Sequence, residues 1–72
     1  SNYLERELKF DSQTELAKFL LKIAAQSDKI KHHCDMEISK ATTLNLRLTT
    51  HDEKNSITDK DYDLANWIDT IK

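Results

Sequence analysis

Three histidines are the residues of this chain best suited to chemistry. His32 and His33 are adjacent, and His51 follows 18 positions after His33. The unperturbed pKa of imidazole is about 6.5, so one ring can donate a proton near neutral pH while another accepts one. If the three rings meet, the sequence predicts a proton-transfer site that needs no cofactor.

A predicted hairpin brings the two histidine segments together. A loop at residues 41–43 would place Lys40 opposite Leu44. In the same register, His33 would lie opposite His51. Side chains opposite each other in an antiparallel pair are about 4.5–5.5 Å apart at Cβ. We therefore expect the imidazoles to share one pocket, and a loop one residue longer or shorter would still leave His51 near the histidine pair.

Two carboxylates are expected to support this cluster. Asp28 lies one helical turn before His32, and Asp61 lies in the first turn of the last predicted helix. A carboxylate beside an imidazole orients the ring and selects its tautomer. We therefore take His32, His33 and His51 as candidate catalytic residues, with Asp28 and Asp61 as supporting residues.

Other interpretations of the same residues remain open. Polar residues at the ends of elements are often simply solvated. His32, His33, Cys34 and His51 are also possible zinc ligands, but the sequence contains no C-x-x-C or H-x-x-x-H pair with the usual spacing. A nucleophilic Cys34 would need an oxyanion hole that nothing in the sequence supplies. We therefore predict no metal site.

The elements that must position these residues are read from hydrophobic spacing. Residues 3–10 alternate with period two, which predicts a strand. Ser12 and Glu15 form an S-x-x-E capping box before an apolar stripe that runs to about Lys31, which predicts a helix. The stripe consists of Leu16, Phe19, Leu20, Ile23, Ala24, Ser27 and Ile30.

The second half of the chain predicts two strands and a helix. Met36 and Ile38 alternate with polar residues in one strand, and Leu44, Leu46 and Leu48 do so in the next. Thr58 and Asp61 form a second capping box. The helix that follows carries Leu64, Trp67, Ile68 and Ile71. The order β-α-β-β-α predicts an α+β fold, a three-stranded antiparallel sheet with helices on one face.

Composition sets further limits. The 72 residues suit one domain over 1–72, and the absence of glycine excludes a P-loop, a dinucleotide-binding loop, an EF-hand and a nucleophile elbow. The net charge is −2 with both signs interspersed, so no direct nucleic-acid binding is expected. Apolar runs, such as residues 19–21, are at most three residues long, too short to span a membrane.

Compartment and assembly follow from the cysteine count and the size. The single cysteine, Cys34, cannot form an intramolecular disulfide, which favours a cytoplasmic location. A domain of about 60 residues buries only roughly 60% of its unfolded surface, so self-association as a homodimer or homotetramer is expected.

Four separated motifs resemble the pterin-4a-carbinolamine dehydratase family. They are residues 6–10 leading to Phe19, the stretch Asp28-x-x-x-His32-His33-Cys34, the triplet at 50–52, and residues 57–61 followed by Leu64-Ala65. Their order and spacing extend over nearly the whole chain. Two features depart from the family pattern. Lys40 and Ala41 stand where an aromatic residue is expected, and the family's N-terminal helix and first strand have no counterpart here.

The resemblance implies a lyase that dehydrates a 4a-hydroxytetrahydropterin to the quinonoid dihydropterin without a cofactor. It places catalysis at His32, His33 and His51, and substrate contacts at Cys34 and Thr50. The alternative that it implies is an inactive or weakly active relative that binds a protein partner as a dimerisation or assembly factor.

Overall fold

The fold consists of a three-stranded antiparallel sheet and two helices. The computed structural model describes residues 2–51, 54 and 56–72. In chain order the elements are β1 (Leu4–Lys9), α1 (Gln13–Ile30), β2 (Asp35–Ser39), β3 (Thr43–Leu48) and α2 (Asp59–Ile71). The strand order is β1-β3-β2, with β3 in the centre. The predicted α+β class and element order are confirmed.

Alternation along the strands separates the sheet into an apolar face and a polar face. Leu44, Leu46 and Leu48 of the central strand are all buried, and Leu8 of β1 joins them. The intervening residues point to the other face, as period two requires. Exposed charged residues on that face include Glu5, Glu7, Glu37 and Arg47. Both helices pack on the apolar face, with Leu16, Phe19, Ile23, Leu64 and Ile68 in the same core.

Both helices begin where the capping boxes predict. The Glu15 amide donates a hydrogen bond of 3.1 Å to Ser12 Oγ at the start of α1. Thr58 and Asp61 form the capping box at the start of α2. α1 ends in a left-handed residue, Lys31, with φ 57° and ψ 38°. No helix in the described part of the chain is long and apolar enough to cross a membrane.

The hairpin register differs from the prediction. Ser39 lies opposite Thr43, so the loop covers residues 40–42 and the pairing is displaced by two residues. The reason is the turn itself, because Lys40 and Ala41 both have positive φ, at 53° and 65°. Residues of these types give no sequence sign of a left-handed turn, since glycine or asparagine usually occupies such positions. Ile38 is 47% exposed because β2 is an edge strand.

Candidate active site

The three histidines line one cleft. The cleft has a volume of about 240 Å³, and its walls come from Lys31, His32, His33, Thr49, His51 and Lys60. The predicted meeting of the imidazoles therefore occurs, although not through the predicted pairing. β3 ends at Leu48, and Thr50 forms an isolated bridge with Ser56, so His51 reaches the cleft from the segment beyond the strand.

The end of α1 separates the roles of the adjacent histidines. The left-handed Lys31 reverses the chain, and the His32 amide donates back to the Ser27 carbonyl at 3.1 Å. After this turn His32 points inward and is 9% exposed, whereas His33 is exposed. Closure of a helix by a left-handed residue is a common helix end, and here it gives neighbouring imidazoles different environments.

His32 is held by a buried carboxylate. Its Nε2 lies 2.6 Å from Asp61 Oδ1, and Asp61 is fully buried. The other oxygen, Oδ2, accepts from the Thr50 hydroxyl at 2.8 Å and from the Thr58 amide at 3.0 Å. The carboxylate of Asp61 therefore accepts three hydrogen bonds without contact with bulk water.

These contacts determine the charge of Asp61 and the tautomer of His32. Burial by itself raises the pKa of Asp61, but the hydrogen bonds from Thr58, His32 and Thr50, with the charge on His32, outweigh burial and hold that pKa below its usual value. Asp61 is therefore a carboxylate at neutral pH and can only accept. The shared hydrogen must lie on His32 Nε2, which leaves Nδ1 of the ring for proton exchange.

Asp28 supports His33 at the surface. His33 Nε2 lies 2.7 Å from Asp28 Oδ1, and both side chains are well exposed. Each of the two predicted supporting carboxylates therefore contacts one imidazole of the pair. Because solvent screens the outer pair, it orients His33 more weakly than Asp61 orients His32.

Thr50 and Cys34 do not have the surroundings expected of substrate contacts. Thr50 is 1% exposed and its hydroxyl is directed to Asp61, so its side chain offers the cleft no free surface. Cys34 is half-buried against the core. Burial is the main reason that the pKa of the Cys34 thiol is raised from 9.0 to about 11. A hydrogen bond with its own backbone lowers this pKa and the charge of Asp35 raises it, but both effects are smaller than that of burial. A neutral thiol is a poor nucleophile, which agrees with the sequence-based preference against that role.

Sequence reasoning missed two cations and a threonine in the cleft. Lys31 and Lys60 line it beside the histidines, and Thr49 lines it from the segment after β3. Lys31 precedes His32 and Lys60 precedes Asp61 in the chain, so adjacency to the candidate residues was the sign available. Among the described residues, no group of three or more His, Cys, Asp or Glu side chains is arranged to hold a metal ion.

The residues at the family's aromatic position lie away from the cleft. Lys40 and Ala41 form the β2–β3 turn, at the opposite end of β2 from His33. Tyr3 packs beside the Arg47 guanidinium, 4.9 Å from its ring centre, and Trp67 packs against the core. Within residues 2–51, 54 and 56–72, no Phe, Tyr or Trp lines the histidine cleft.

A larger cavity lies at the opposite end of the helices. Its volume is about 640 Å³, and Phe10, Phe19, Lys22 and Lys72 are among its lining residues. It contains lysines and carboxylates but no imidazole. Size alone would favour this cavity, but the three histidines favour the smaller one as the site of proton transfer, because imidazole is the side chain best suited to that chemistry near neutral pH.

Comparisons with known proteins show which family this chain is similar to. The sequence profile of the family described as pterin 4 alpha carbinolamine dehydratase matches residues 1–71. The chain is 36% identical over 70 residues to a protein of Picosynechococcus sp. provisionally named a pterin-4-alpha-carbinolamine dehydratase, with 97% of this chain and 74% of the relative covered. A protein of Sulfolobus acidocaldarius with the same provisional name is 33% identical over 72 residues, covering 100% of this chain and 77% of the relative.

A solved structure shares the fold. The transcriptional coactivator/pterin dehydratase from Brucella melitensis superposes with a TM-score of 0.88 at 25% identity, covering 96% of this chain and 71% of that one. The chain therefore belongs to the pterin-4-alpha-carbinolamine dehydratase family.

Proposed function

We propose that this protein dehydrates a 4a-hydroxytetrahydropterin to the quinonoid dihydropterin, with His32, His33 and His51 as general acid and base. The observation that carries the proposal is the meeting of three imidazoles in one cleft, two of them hydrogen-bonded to carboxylates. Membership of the dehydratase family supports the choice of substrate.

The reaction needs two proton transfers and no change of oxidation state. The C4a–oxygen bond breaks, and a protonated imidazole supplies the proton that turns the departing hydroxide into water. The N5 lone pair forms the C4a–N5 double bond as a second imidazole takes the N5 proton. Each proton lost by the acid is balanced by one gained by the base, so imidazoles in different protonation states suffice.

The cleft suits this chemistry in charge and in size. Lys31 and Lys60 line it, and their positive charge favours a leaving group that departs with negative charge. Pockets for drug-sized ligands are about 300–1,000 Å³. A cleft of about 240 Å³ lies just below that range, as expected for a ligand as compact as a two-ring pterin head group.

The direct test is the rate at which the purified protein accelerates loss of the 4a-hydroxypterin absorbance. His51→Ala and His33→Ala should each lower kcat by about 10²-fold or more, because each removes a proton-transfer group. Lys22→Ala, an exposed lysine in the middle of α1 and outside the histidine cleft, is the surface control and should keep the wild-type rate. A wild-type protein without acceleration, or an unchanged His51→Ala rate, would refute the proposal.

A second candidate function is protein binding. The Brucella melitensis neighbour is named a coactivator as well as a dehydratase, and the aromatic position of the family pattern is occupied by Lys40 and Ala41. If the protein acts only as a dimerisation or assembly factor, the three-histidine variant with alanine at all three positions should retain partner binding. Dehydratase activity that is present in the wild type and absent from that variant would favour the enzymatic function.

Assembly and location remain predictions of the same proposal. We expect a homodimer or homotetramer, because one copy of this size buries a smaller share of its unfolded surface than a larger domain does. Sedimentation analysis measures this directly, and a monomer at micromolar concentration would contradict it. A cytoplasmic location is expected from the single, unpaired cysteine.

A further inference from the structure

A chain of hydrogen bonds extends from the cleft into the core. Thr50 Oγ1 lies 2.6 Å from Thr58 Oγ1 and 2.8 Å from Asp61 Oδ2. Asp61 Oδ1 then lies 2.6 Å from His32 Nε2. Thr50 is 1% exposed and Asp61 is 0% exposed, so bulk water does not compete for the contacts of Asp61 with Thr50 and His32.

The direction of this chain follows from the number of hydrogens. Asp61 as a carboxylate only accepts, so the single hydroxyl hydrogen of Thr50 is used on Asp61 Oδ2. The hydrogen between the two threonines must then come from Thr58. Donation therefore runs from Thr58 to Thr50 to Asp61, while His32 donates to Asp61 from the other side.

The two oxygens of Asp61 consequently have different tasks. Oδ2 is occupied by the Thr50 hydroxyl and the Thr58 amide, and Oδ1 is left for His32. A carboxylate that lost the Thr50 contact would be held at Oδ2 by the Thr58 amide alone and could rotate more freely about its terminal bond, since that torsion is broad and roughly two-fold. His32 would then lose its fixed partner and its single tautomer.

We infer that Thr50 is a positioning residue for His32, acting through Asp61, with Thr58 as the donor that fixes the Thr50 hydroxyl. The inference rests on the proposed function for its effect on turnover, but the tautomer of His32 can be measured without any substrate. The resemblance implied that the Thr50 side chain contacts substrate, whereas in this inference it contacts Asp61, which in turn holds His32.

The experiment uses the full chain labelled with ¹⁵N-histidine and reads the ring nitrogens of His32 in mildly alkaline buffer. In the wild type, His32 should be a single tautomer with hydrogen on Nε2. Thr50→Val keeps the shape and removes the hydroxyl, so both tautomers should appear. Thr50→Ser keeps the hydroxyl and should restore the wild-type signals. Thr43→Val makes the same change in a buried threonine near the hairpin turn and should leave His32 unaffected.

Kinetics of the same variants test the effect on turnover. Thr50→Val should lower kcat by about tenfold or more with little change in KM, because misplacement of a proton-transfer group acts on the chemical step. Thr50→Ser should recover most of that loss. If Thr50→Val does not fold, Thr58→Ala removes the preceding donor and should give the same mixture of tautomers in milder form.

The outcomes separate this inference from the proposed function. A single Nε2–H tautomer in Thr50→Val overturns the positioning role whatever the rate. A mixed tautomer with unchanged kcat overturns its role in turnover. A wild-type protein that lacks dehydratase activity refutes the proposed function, and the spectra then still decide whether Thr50 positions His32.

Discussion

Asp61 and His32 join the first turn of α2 to the chain segment just after α1, with 2.6 Å between Oδ1 and Nε2 and 29 positions between them in the sequence. The contact is buried, and it depends on both helix ends adopting their observed positions. The geometry of the candidate site and the docking of the two helices are therefore not independent.

Asp61→Asn should weaken the fold and flatten its response to acid. The pKa of Asp61 is below its ordinary value of 3.8 in the folded protein, so the unfolded chain binds this proton first as the pH falls. Asp61 therefore contributes stability that is complete above about pH 4 and is lost as the pH falls through the lower, folded-state pKa. Urea unfolding at several pH values measures this dependence.

The asparagine variant should also lose about 1–3 kcal/mol at neutral pH, because its amide cannot accept all the hydrogen bonds that the carboxylate accepts. Asp59→Asn, an exposed residue in the same helical turn, is the control and should keep the wild-type acid response. Parallel curves for wild type and Asp61→Asn below pH 4 would show that the buried carboxylate is not the group responsible.

Asp28→Asn should affect activity more than stability. Its contact with His33 is 2.7 Å but lies at the surface, and exposed pairs contribute about 0–1 kcal/mol. The unfolding midpoint should therefore hardly change, while kcat falls several-fold as the His33 ring loses its orienting partner. Thermal melting and steady-state rates on one preparation provide both measurements. A large drop in melting temperature with normal kcat would assign Asp28 to the fold instead.

Cys34 should react slowly with alkylating reagents in the folded protein. Raising the thiol pKa from 9.0 to about 11 lowers the thiolate fraction at about pH 8 by roughly 100-fold. Labelling in the native state should accordingly be about two orders of magnitude slower than in urea, as measured by mass spectrometry. Equal rates in the two states would mean that the thiol is ionised and accessible.

Serine to alanine changes in α1 should have opposite effects at two positions. Ser27 Oγ is buried and has no hydrogen-bond partner among the described residues, so Ser27→Ala should stabilise the protein by about 1 kcal/mol. Ser12 caps the helix through the Glu15 amide, so Ser12→Ala should destabilise it by about 1 kcal/mol. Chemical denaturation of the pair provides the comparison, and a loss of stability in Ser27→Ala would indicate an unrecognised partner.

The β2–β3 turn gives another pair with opposite signs. Ala41 has φ 65°, a conformation that costs a residue with a Cβ about 1 kcal/mol. Ala41→Gly should therefore raise the free energy of unfolding by about 0.5–1 kcal/mol. The same change at Ala25, exposed in the interior of α1, should lower it by about 1 kcal/mol. Destabilisation by both glycines would refute the assignment of strain to the turn.

The same turn shows what could not be read from the sequence. Alternation of Leu44, Leu46 and Leu48 predicted β3 correctly because one face of a central strand must be buried. Lys40 and Ala41 carry no sign of positive φ in the sequence. The loop was therefore predicted one residue too late in the chain, and the predicted pairing of β2 with β3 differs from the observed pairing by two residues. All three histidines still line one cleft, because the segment after β3, which carries His51, lies beside the end of α1, which His32 and His33 follow.

Burial of Asp61 and Thr50 was also beyond the sequence. Asp61 was expected near an imidazole from its place in the capping box, and its contact with His32 follows from the docking of α2. The family resemblance implied a substrate contact for Thr50, but its side chain is buried and its hydroxyl donates to Asp61. Such orientation depends on tertiary contacts that no local spacing encodes.

Lys31 combines two demands at one position. It ends α1 with φ 57°, where glycine is the usual residue, and its side chain lines the histidine cleft. Lys31→Gly would relax the backbone and remove an amine from the cleft in one step. A substitution that raises thermal stability at Lys31 would therefore also alter the candidate site. Ala41, in the β2–β3 turn, has the same kind of backbone strain but does not line the cleft, so thermostabilising substitutions are better made there.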